Sequence, residues 1–200
     1  MNIVGLFPTP VARISSFLND HQCEYFKHYC TGAEYHLDKG PSKMSLNTTV
    51  LDVFPDVKSR IEDTFTEFAY NTLGVVKTCN FKITTSWATS TPPQASSSKH
   101  KHSNSYWSGV LYFDDDVSPL VLYRPEQPSA FLVDAQEIND FCTQQVAVTP
   151  SKGDVVFFPS YLEHRVSSNT SPHVRHSLAF NMLPNGIIGQ YDSQCSLTIN

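Results

Sequence analysis

The sequence predicts a mainly β protein of the α+β kind, in which an antiparallel sandwich or jelly roll follows a helical N-terminal part. Two helical patterns lie before Gly74. After it, short runs rich in β-branched and aromatic residues are separated by turn residues, with no helical pattern between them. A length of 200 residues suits one domain, with a helix-containing part (1–74) and a jelly-roll core (75–200).

The helical part contains two predicted helices, which we expect to pack on one face of a sheet. The first covers 20–32, with Asn19 or Asp20 as its N-cap and Gly32 at its end. Its apolar positions are Cys23, Phe26 and Cys30. The second covers 55–73 and begins at a proline, which is favoured in the first turn of a helix. Its apolar positions are Val57, Ile61, Phe65 and Phe68.

The β part contains six predicted strands and one long predicted loop. The strands cover 81–87, 107–113, 119–124, 145–150, 154–159 and 175–183. The stretch ATSTPPQASSSK (88–99) has two prolines, four serines and no large apolar side chain. We expect it to form a mobile loop over the barrel mouth that becomes ordered when substrate binds, with an inert connector as the alternative.

Composition and charge exclude several classes of protein. The formal net charge of −5 argues against binding to nucleic acid, and the basic cluster at 99–102 is too short for a phosphate-binding stripe. No apolar run approaches the roughly 18 residues that cross a bilayer. The N-terminal sequence lacks the pattern of a signal peptide, so we expect a cytoplasmic protein. Five scattered cysteines without a C-x-x-C pair predict free thiols.

The segment HKHSNSYWSGVLYF (100–113) places two histidines directly before a predicted strand. In an extended chain, residues i and i+2 point to the same side, so His100 and His102 can reach one metal ion. Short motifs recur easily, and a solvated loop with two histidines is the alternative. The pair alone does not decide between them.

A third histidine comes from GDVVFFPSYLEHRV (153–166). In this segment a glycine turn leads into an apolar strand, a proline ends the strand, and His164 lies just beyond it. A jelly roll can bring His164 beside the first two histidines, although it lies 64 residues after His100. The alternative is a polar residue in a connecting loop.

The segment RHSLAFN (175–181) predicts a polar interior face. Arg175 and Ser177 share one face of this strand with Ala179 and Asn181. A buried guanidinium needs an anion, which is either an internal carboxylate or the carboxylate of a ligand. The fork of Arg175 together with the Ser177 hydroxyl suits a ligand carboxylate, and both options stay open.

Taken together, these motifs resemble those of the 2-oxoglutarate- and iron(II)-dependent oxygenases, in particular a branch common in phage genomes. The matching segments are LFPTPV (6–11), SW (86–87), HKHSNSYWSGVLYF (100–113), GDVVFFPSYLEHRVSSNTS (153–171) and RHSLAFN (175–181). The two helices and the 125–145 stretch have no counterpart in the resemblance.

The resemblance implies an eight-stranded double-stranded β-helix, the jelly roll of cupin-like proteins, with Fe(II) bound at its mouth. It implies that 2-oxoglutarate binds the iron and pairs its far carboxylate with Arg175, assisted by Ser177 and by the phenol of Tyr112. Ordinary core packing is the alternative for Tyr112. The implied reaction consumes O2, converts 2-oxoglutarate to succinate, and usually hydroxylates a small molecule or a protein side chain.

The sequence departs from the wider superfamily at one metal ligand. The usual site has two histidines and one carboxylate, in the pattern H-x-D or H-x-E. Here His102 occupies the carboxylate position, so the resemblance implies His100, His102 and His164 as ligands. Two alternatives are Asn104, as H-x-N, and a carboxylate after the strand. The candidate carboxylates are Asp114, Asp115 and Asp116.

Two other functions remain compatible with the residues alone. A non-catalytic cupin-like module, such as a virion or interaction protein, would keep the barrel without turnover, but it would have no need for a buried anion clamp. A zinc hydrolase could use the same three histidines, but no glutamate is obviously placed as a general base. The sequence does not predict the primary substrate, the host or the oligomeric state. A phage-encoded protein would act in the host cytoplasm.

Overall fold

The computed structural model of the protein describes residues 7–37, 41–115, 118–125 and 135–199. Its helices are α1 (Asp20–Gly32) and α2 (Pro55–Asn71). Its strands are β1 (Ala12–Ile14), β2 (Tyr35–Leu37), β3 (Lys43–Ser45), β4 (Cys79–Thr91), β5 (Trp107–Tyr112), β6 (Leu120–Tyr123), β7 (Gln145–Val148), β8 (Val155–Pro159), β9 (His164–Val166), β10 (Arg175–Ile188) and β11 (Cys195–Leu197).

Both helices form where the sequence predicts them. The N-cap of α1 is Asn19, whose side chain accepts a hydrogen bond from the Gln22 backbone N–H at 2.9 Å, while the Gln22 side chain accepts one from the Asn19 N–H. Helix α2 begins at Pro55 and ends at Asn71, two residues before the predicted end. The chain then turns away through Gly74, whose positive φ of 70° suits glycine.

The strands form two antiparallel sheets. The large sheet has the order β1-β8-β5-β10-β4-β3-β2, and β11 pairs with the end of β10. The small sheet has the order β7-β6-β9. The pairs β1–β8, β8–β5, β5–β10 and β10–β4 join strands that are far apart in sequence, as in a jelly roll, and β10 lies at the centre of the sheet between β4 and β5. The fold is a double-stranded β-helix, as predicted.

Two apolar cores lie on opposite faces of the large sheet. The first joins both helices to the sheet, and its largest members are aromatic, such as Phe26, Phe65, Phe157 and Phe180. The second lies between the sheets and includes Val110, Leu122 and Phe158. The helices therefore pack on one face of the large sheet, which confirms the prediction, and the other face lines the barrel interior.

Strand β10 alternates between these two environments. Leu178 and Phe180 belong to the core under the helices, and Ala179 belongs to the core between the sheets. Arg175 is four residues before Ala179, so its side chain points to the same face of the strand. It therefore lies on the interior face, as the period of two predicts.

The predicted loop 88–99 is wrong for its first four residues. Residues 88–91 continue β4, because their backbone pairs with β10 as far as Arg175 opposite Thr91. Beyond the strand the segment is anchored: the Gln94 N–H donates to Asn169 O, and the Asn169 N–H donates to Ala95 O, each at 2.8 Å. These bonds place residues 94 and 95 against the segment that carries Asn169, and the ordering of residues 92–99 by substrate stays a prediction.

The short strands β1, β2, β3 and β11 were not among the predicted elements, whereas β9 is the strand expected to begin near His164. Each unpredicted strand is three residues long, too short for a periodic pattern to be recognised. All five cysteines are free thiols, as expected. No helix within the described ranges is long and apolar enough to cross a membrane. Residue 6 of the LFPTPV segment lies outside the described residues.

Candidate active site

Three histidines meet at one end of the barrel because two chain segments pair there. His100 and His164 form an antiparallel bridge, in which each backbone N–H donates to the carbonyl of the other at 2.8–2.9 Å. The His102 N–H donates to Ser160 O at 3.0 Å. This bond holds the backbone of His102 beside the segment that leads to His164. The pairing joins residues that are 64 positions apart in the sequence.

The side chains of His100, His102 and His164, here called the histidine cluster, converge. One ring nitrogen from each lies within 4.8 Å of the others, and the Nε2 atoms of His100 and His102 are 3.3 Å apart. Within the described part of the chain, no other group of three or more histidine, cysteine, aspartate or glutamate side chains converges in this way. Such a face of imidazoles suits Fe(II) or Zn(II).

The outer nitrogens of the cluster are held by acceptors. His100 Nδ1 lies 2.8 Å from Ser98 O, and His164 Nδ1 lies 2.9 Å from Leu162 O. A carbonyl oxygen only accepts, so both imidazoles carry their proton on Nδ1 and leave the Nε2 lone pair for a metal. Burial lowers the pKa of His164 to about 3, although its bond to Leu162 O acts in the opposite direction, so His164 is neutral near pH 7.

The carboxylates considered as alternative ligands lie elsewhere. Asp114 accepts hydrogen bonds from Lys27 Nζ at 2.9 Å and from the His176 N–H at 3.1 Å. Asp115 lies 3.1 Å from Lys152 Nζ, and neither carboxylate belongs to the histidine cluster. Asp116 lies outside the described residues. Asn104 is exposed in the turn before β5.

Arg175 lies in the barrel interior with most of its donors unused. The residue is 3% exposed, and Nη2 donates to Thr91 Oγ1 at 3.3 Å. Its Nε and Nη1 have no partner among the described residues. A native structure rarely leaves a buried donor unpaired, and a buried guanidinium without an anion is costly. Of the two anions considered for Arg175, no internal carboxylate pairs with it within the described ranges.

Tyr112 and Ser177 share this interior region. Tyr112 on β5 is directly opposite Ser177 on β10, so both side chains lie on the same face of the sheet. The Tyr112 hydroxyl is buried and also lacks a partner among the described residues. Burial raises the pKa of this phenol, so the phenol stays protonated and is a donor. Unused donors of Arg175 and Tyr112 therefore remain inside one barrel.

Sequence reasoning missed the residues around His102. Its Nδ1 lies 2.6 Å from Asn181 Oδ1 and 2.8 Å from Ser108 Oγ, and the Trp87 ring meets its edge at 5.4 Å between centroids. Asn181 was placed on the interior face but was given no role. The register of β10 against β4 shifts directly after Asn181, and no local sequence pattern marks this irregularity.

Comparison with known protein families identifies the class of protein. Residues 85–181 match the family model described as "Putative 2OG-Fe(II) oxygenase", and this range contains the histidine cluster, Tyr112, Arg175 and Ser177. The match indicates a 2OG-Fe(II) oxygenase. No curated protein matches the chain in sequence.

Solved structures of other proteins share the fold of this chain. A prolyl-4-hydroxylase from Pseudomonas putida is 14% identical with a TM-score of 0.58, over 86% of this chain and 92% of that one. HygX from Streptomyces hygroscopicus, solved with nickel and 2-oxoglutarate, is 11% identical with a TM-score of 0.58, over 87% and 82% of the two chains. The epimerase SnoN from nogalamycin biosynthesis, in complex with Fe3+, α-ketoglutarate and nogalamycin RO, is 10% identical with a TM-score of 0.62, over 88% and 79%.

The description of the matched family names Fe(II) and 2-oxoglutarate, and the interior of this chain suits both. Imidazoles bind Fe(II), and the cluster offers three of them. A dicarboxylate needs a buried cationic donor with free N–H groups, and Arg175 has two unpaired nitrogens. The donor set therefore fits the groups that the family requires.

Proposed function

We propose that His100, His102 and His164 hold Fe(II), and that Arg175, Tyr112 and Ser177 bind the far carboxylate of 2-oxoglutarate. The observation that carries the proposal is the pair of unpartnered nitrogens on buried Arg175. A guanidinium is retained in such a place when an anion arrives to pair with it. The buried phenol of Tyr112 supplies a further donor for the same anion.

Each residue has a separate task in this proposal. When bound, Fe(II) with 2-oxoglutarate and O2 supplies the oxidising chemistry, in which 2-oxoglutarate becomes succinate and CO2. The histidine cluster fixes the position of the metal through three Nε2 atoms. Arg175 neutralises the carboxylate charge in a site that excludes water, where a charge-assisted contact is stronger than at the surface.

We propose that the primary substrate, a small molecule or a protein side chain, reaches the site past His100 and His102 and is hydroxylated. These two side chains are partly exposed, while His164 is 4% exposed, so access to the cluster is from their side. The indole of Trp87 is also partly exposed and lies against His102. It would offer the substrate a flat apolar surface beside the metal.

We propose that residues 1–200 form a single domain and that the protein acts in the cytoplasm. The helices of the 1–74 part share one apolar core with strands of the 75–200 part, such as β8 and β10. A helical part that contributes to the core of the sheet in this way is expected to fold with it.

The proposed function is tested by succinate formation from 2-oxoglutarate, measured with Fe(II) and ascorbate, with Zn(II), and without metal. Succinate formed only with Fe(II), and lost in His164→Ala and Arg175→Met, supports the assignment. Unchanged activity in both variants would contradict the site. Tight metal binding with no affinity for labelled 2-oxoglutarate in equilibrium dialysis would favour a metal-binding module instead.

A further inference from the structure

A hydrogen-bond network of three serine hydroxyls and one asparagine begins at the outer nitrogen of His102. His102 Nδ1 is 2.8 Å from Ser108 Oγ, Ser108 Oγ is 2.7 Å from Ser160 Oγ, and Ser160 Oγ is 2.8 Å from Ser105 Oγ. The last hydroxyl lies 2.9 Å from Trp107 O. The four hydrogen bonds form one chain from the imidazole to a backbone carbonyl.

Oxygens that can only accept determine which hydroxyls donate in this network. Trp107 O can only accept, so Ser105 donates to it, and Ser105 Oγ accepts from Ser160. Ser108 Oγ also lies 2.8 Å from Asn181 Oδ1, an amide oxygen that only accepts, so Ser108 donates its single proton to Asn181. Ser108 Oγ in turn can only accept from His102, whose proton therefore lies on Nδ1.

Asn181 supplies a second acceptor for the same proton. Its Oδ1 is 2.6 Å from His102 Nδ1, and its Nδ2 donates to Thr85 Oγ1 at 3.1 Å. With Nδ2 directed to Thr85, the Oδ1 of Asn181 faces His102 and Ser108 and accepts from both. The irregular pairing of β10 with β4 directly follows this residue, and such irregularities commonly re-aim a side chain.

We propose that Asn181 and the chain Ser108–Ser160–Ser105 are positioning residues that lock His102 as the Nδ1-protonated tautomer, with its Nε2 lone pair facing the cluster. His100 and His164 have their tautomers fixed by single carbonyls. His102, which occupies the position of the usual carboxylate, has its tautomer fixed by side chains. These side chains would therefore allow a histidine to serve as the third metal ligand.

The inference rests on the proposed role of His102 as a metal ligand, and its first test needs no metal. We would record histidine nitrogen–proton correlation spectra of 15N-labelled, metal-free protein at pH 8, where an ordinary imidazole is neutral. A His102→Gln variant identifies the His102 signals. The expected pattern has the proton on Nδ1, and a dominant Nε2-protonated form in the wild type would overturn the inference.

The second test changes the positioning residues and measures Co(II) affinity and the Co(II) visible absorption spectrum. We expect Asn181→Ala and Ser160→Ala to weaken Co(II) binding by about 10- to 100-fold and to mix the two His102 tautomers. Asn181→Asp keeps an acceptor oxygen and should restore both the affinity and the tautomer. Ser118→Ala is the matched control, because Ser118 is also buried and its hydroxyl donates to Ser168 O, which is not part of the serine hydrogen-bond network.

The outcomes separate this inference from the proposed function. Wild-type affinity, spectrum and tautomer in both alanine variants would show that these side chains serve the fold alone, and would overturn the inference. The NMR spectrum of the wild type decides the question even where an alanine variant does not fold. No Co(II) binding by the folded wild type would overturn the proposed metal site, while the tautomer result would stand separately.

Discussion

Replacing Arg175 by methionine should have opposite effects on ligand binding and on stability. Arg175 is 3% exposed, and the one hydrogen bond that its guanidinium makes among the described residues, to Thr91 Oγ1, is long at 3.3 Å. In the ligand-free protein it is therefore a buried charge with little compensation. With 2-oxoglutarate bound, the same charge becomes the anchor of a carboxylate.

The effect on binding follows from the number of unused donors. Arg175 has two nitrogens without a partner, and hydrogen bonds to charged groups contribute about 1.5–3 kcal/mol each. Their loss removes about 3–6 kcal/mol, which raises the dissociation constant of 2-oxoglutarate roughly 100- to 10,000-fold. Arg175→Lys keeps the charge but not the fork, so it should fall between the wild type and Arg175→Met.

The effect on stability should be small or favourable. Replacing a buried ion by an apolar side chain of similar volume is often neutral or stabilising by about 1–4 kcal/mol, provided no partner charge is left behind. Arg13 is the matched contrast. Its Nε lies 2.6 Å from Asp154, which is 1% exposed, so Arg13→Met leaves a buried carboxylate without its cation.

The contrast gives a measurable difference between the two variants. Arg13→Met should lower the free energy of unfolding by about 3 kcal/mol. This value is at the lower end of the range for a broken buried pair, because Asp154 keeps the Ser16 and Ser151 N–H donors. That loss corresponds to a Tm lower by roughly 6–12 °C. Thermal unfolding and calorimetric titration with 2-oxoglutarate are run on both. Equal 2-oxoglutarate affinity in Arg175→Met, or destabilisation as large as in Arg13→Met, would refute the anion-clamp reasoning.

Three further predictions concern the metal, the acid stability and the packing. Alanine at any position of the histidine cluster should abolish tight Fe(II) or Co(II) binding, and metal content unchanged in one variant would remove that residue from the site. Burial disfavours the charge on Asp114, but hydrogen bonds led by that of Lys27 outweigh burial and lower the pKa of the carboxyl. The carboxylate therefore stabilises the fold above about pH 4, and this stabilisation is lost as the pH falls through the folded pKa. In urea unfolding, Asp114→Asn should have a lower free energy of unfolding than the wild type at pH 7 and a smaller difference at pH 3, and a difference independent of pH would contradict this. A Cβ at Gly109 would lie 2.3 Å from Phe180 Cζ, so Gly109→Ala should destabilise the protein by about 1–3 kcal/mol, measured by the same unfolding, and wild-type stability would show that the ring moves aside at no cost.

The features that could be predicted from the sequence depend on local patterns. The N-cap at Asn19 and the apolar positions of both helices follow from spacing along the chain. The interior face of β10 follows from the period of two, which correctly separates Arg175 from Phe180. The histidine motifs were found because two of the three residues are neighbours and the third follows a distinctive strand.

The features that could not be predicted depend on pairing between distant segments. Residues 88–91 have loop-like composition, but backbone hydrogen bonds to β10 make them a strand, so tertiary pairing overrides local preference. The anchoring of Ala95 by Asn169 joins positions 74 apart, and no local pattern encodes it. Whether Arg175 faces an internal carboxylate also depends on where Asp114 lies, and Asp114 is paired with Lys27.

The interactions of His102 show how a histidine could take the place of the carboxylate in the usual ligand set. A carboxylate ligand needs no tautomer, whereas a histidine in its place binds metal only if the correct nitrogen carries the lone pair. The neighbours of His102 Nδ1 are an amide oxygen and a hydroxyl, both uncharged, so the cluster stays electrically neutral. In the proposed site, three neutral ligands would leave the charge of Fe(II) uncompensated by protein, and the anionic co-substrate would supply the compensation. Metal and 2-oxoglutarate should therefore strengthen each other's binding by the same factor, as thermodynamic linkage requires. Isothermal titration of Co(II) with and without 2-oxoglutarate measures that factor, and independent binding of the two would show that the neutral ligand set does not couple them.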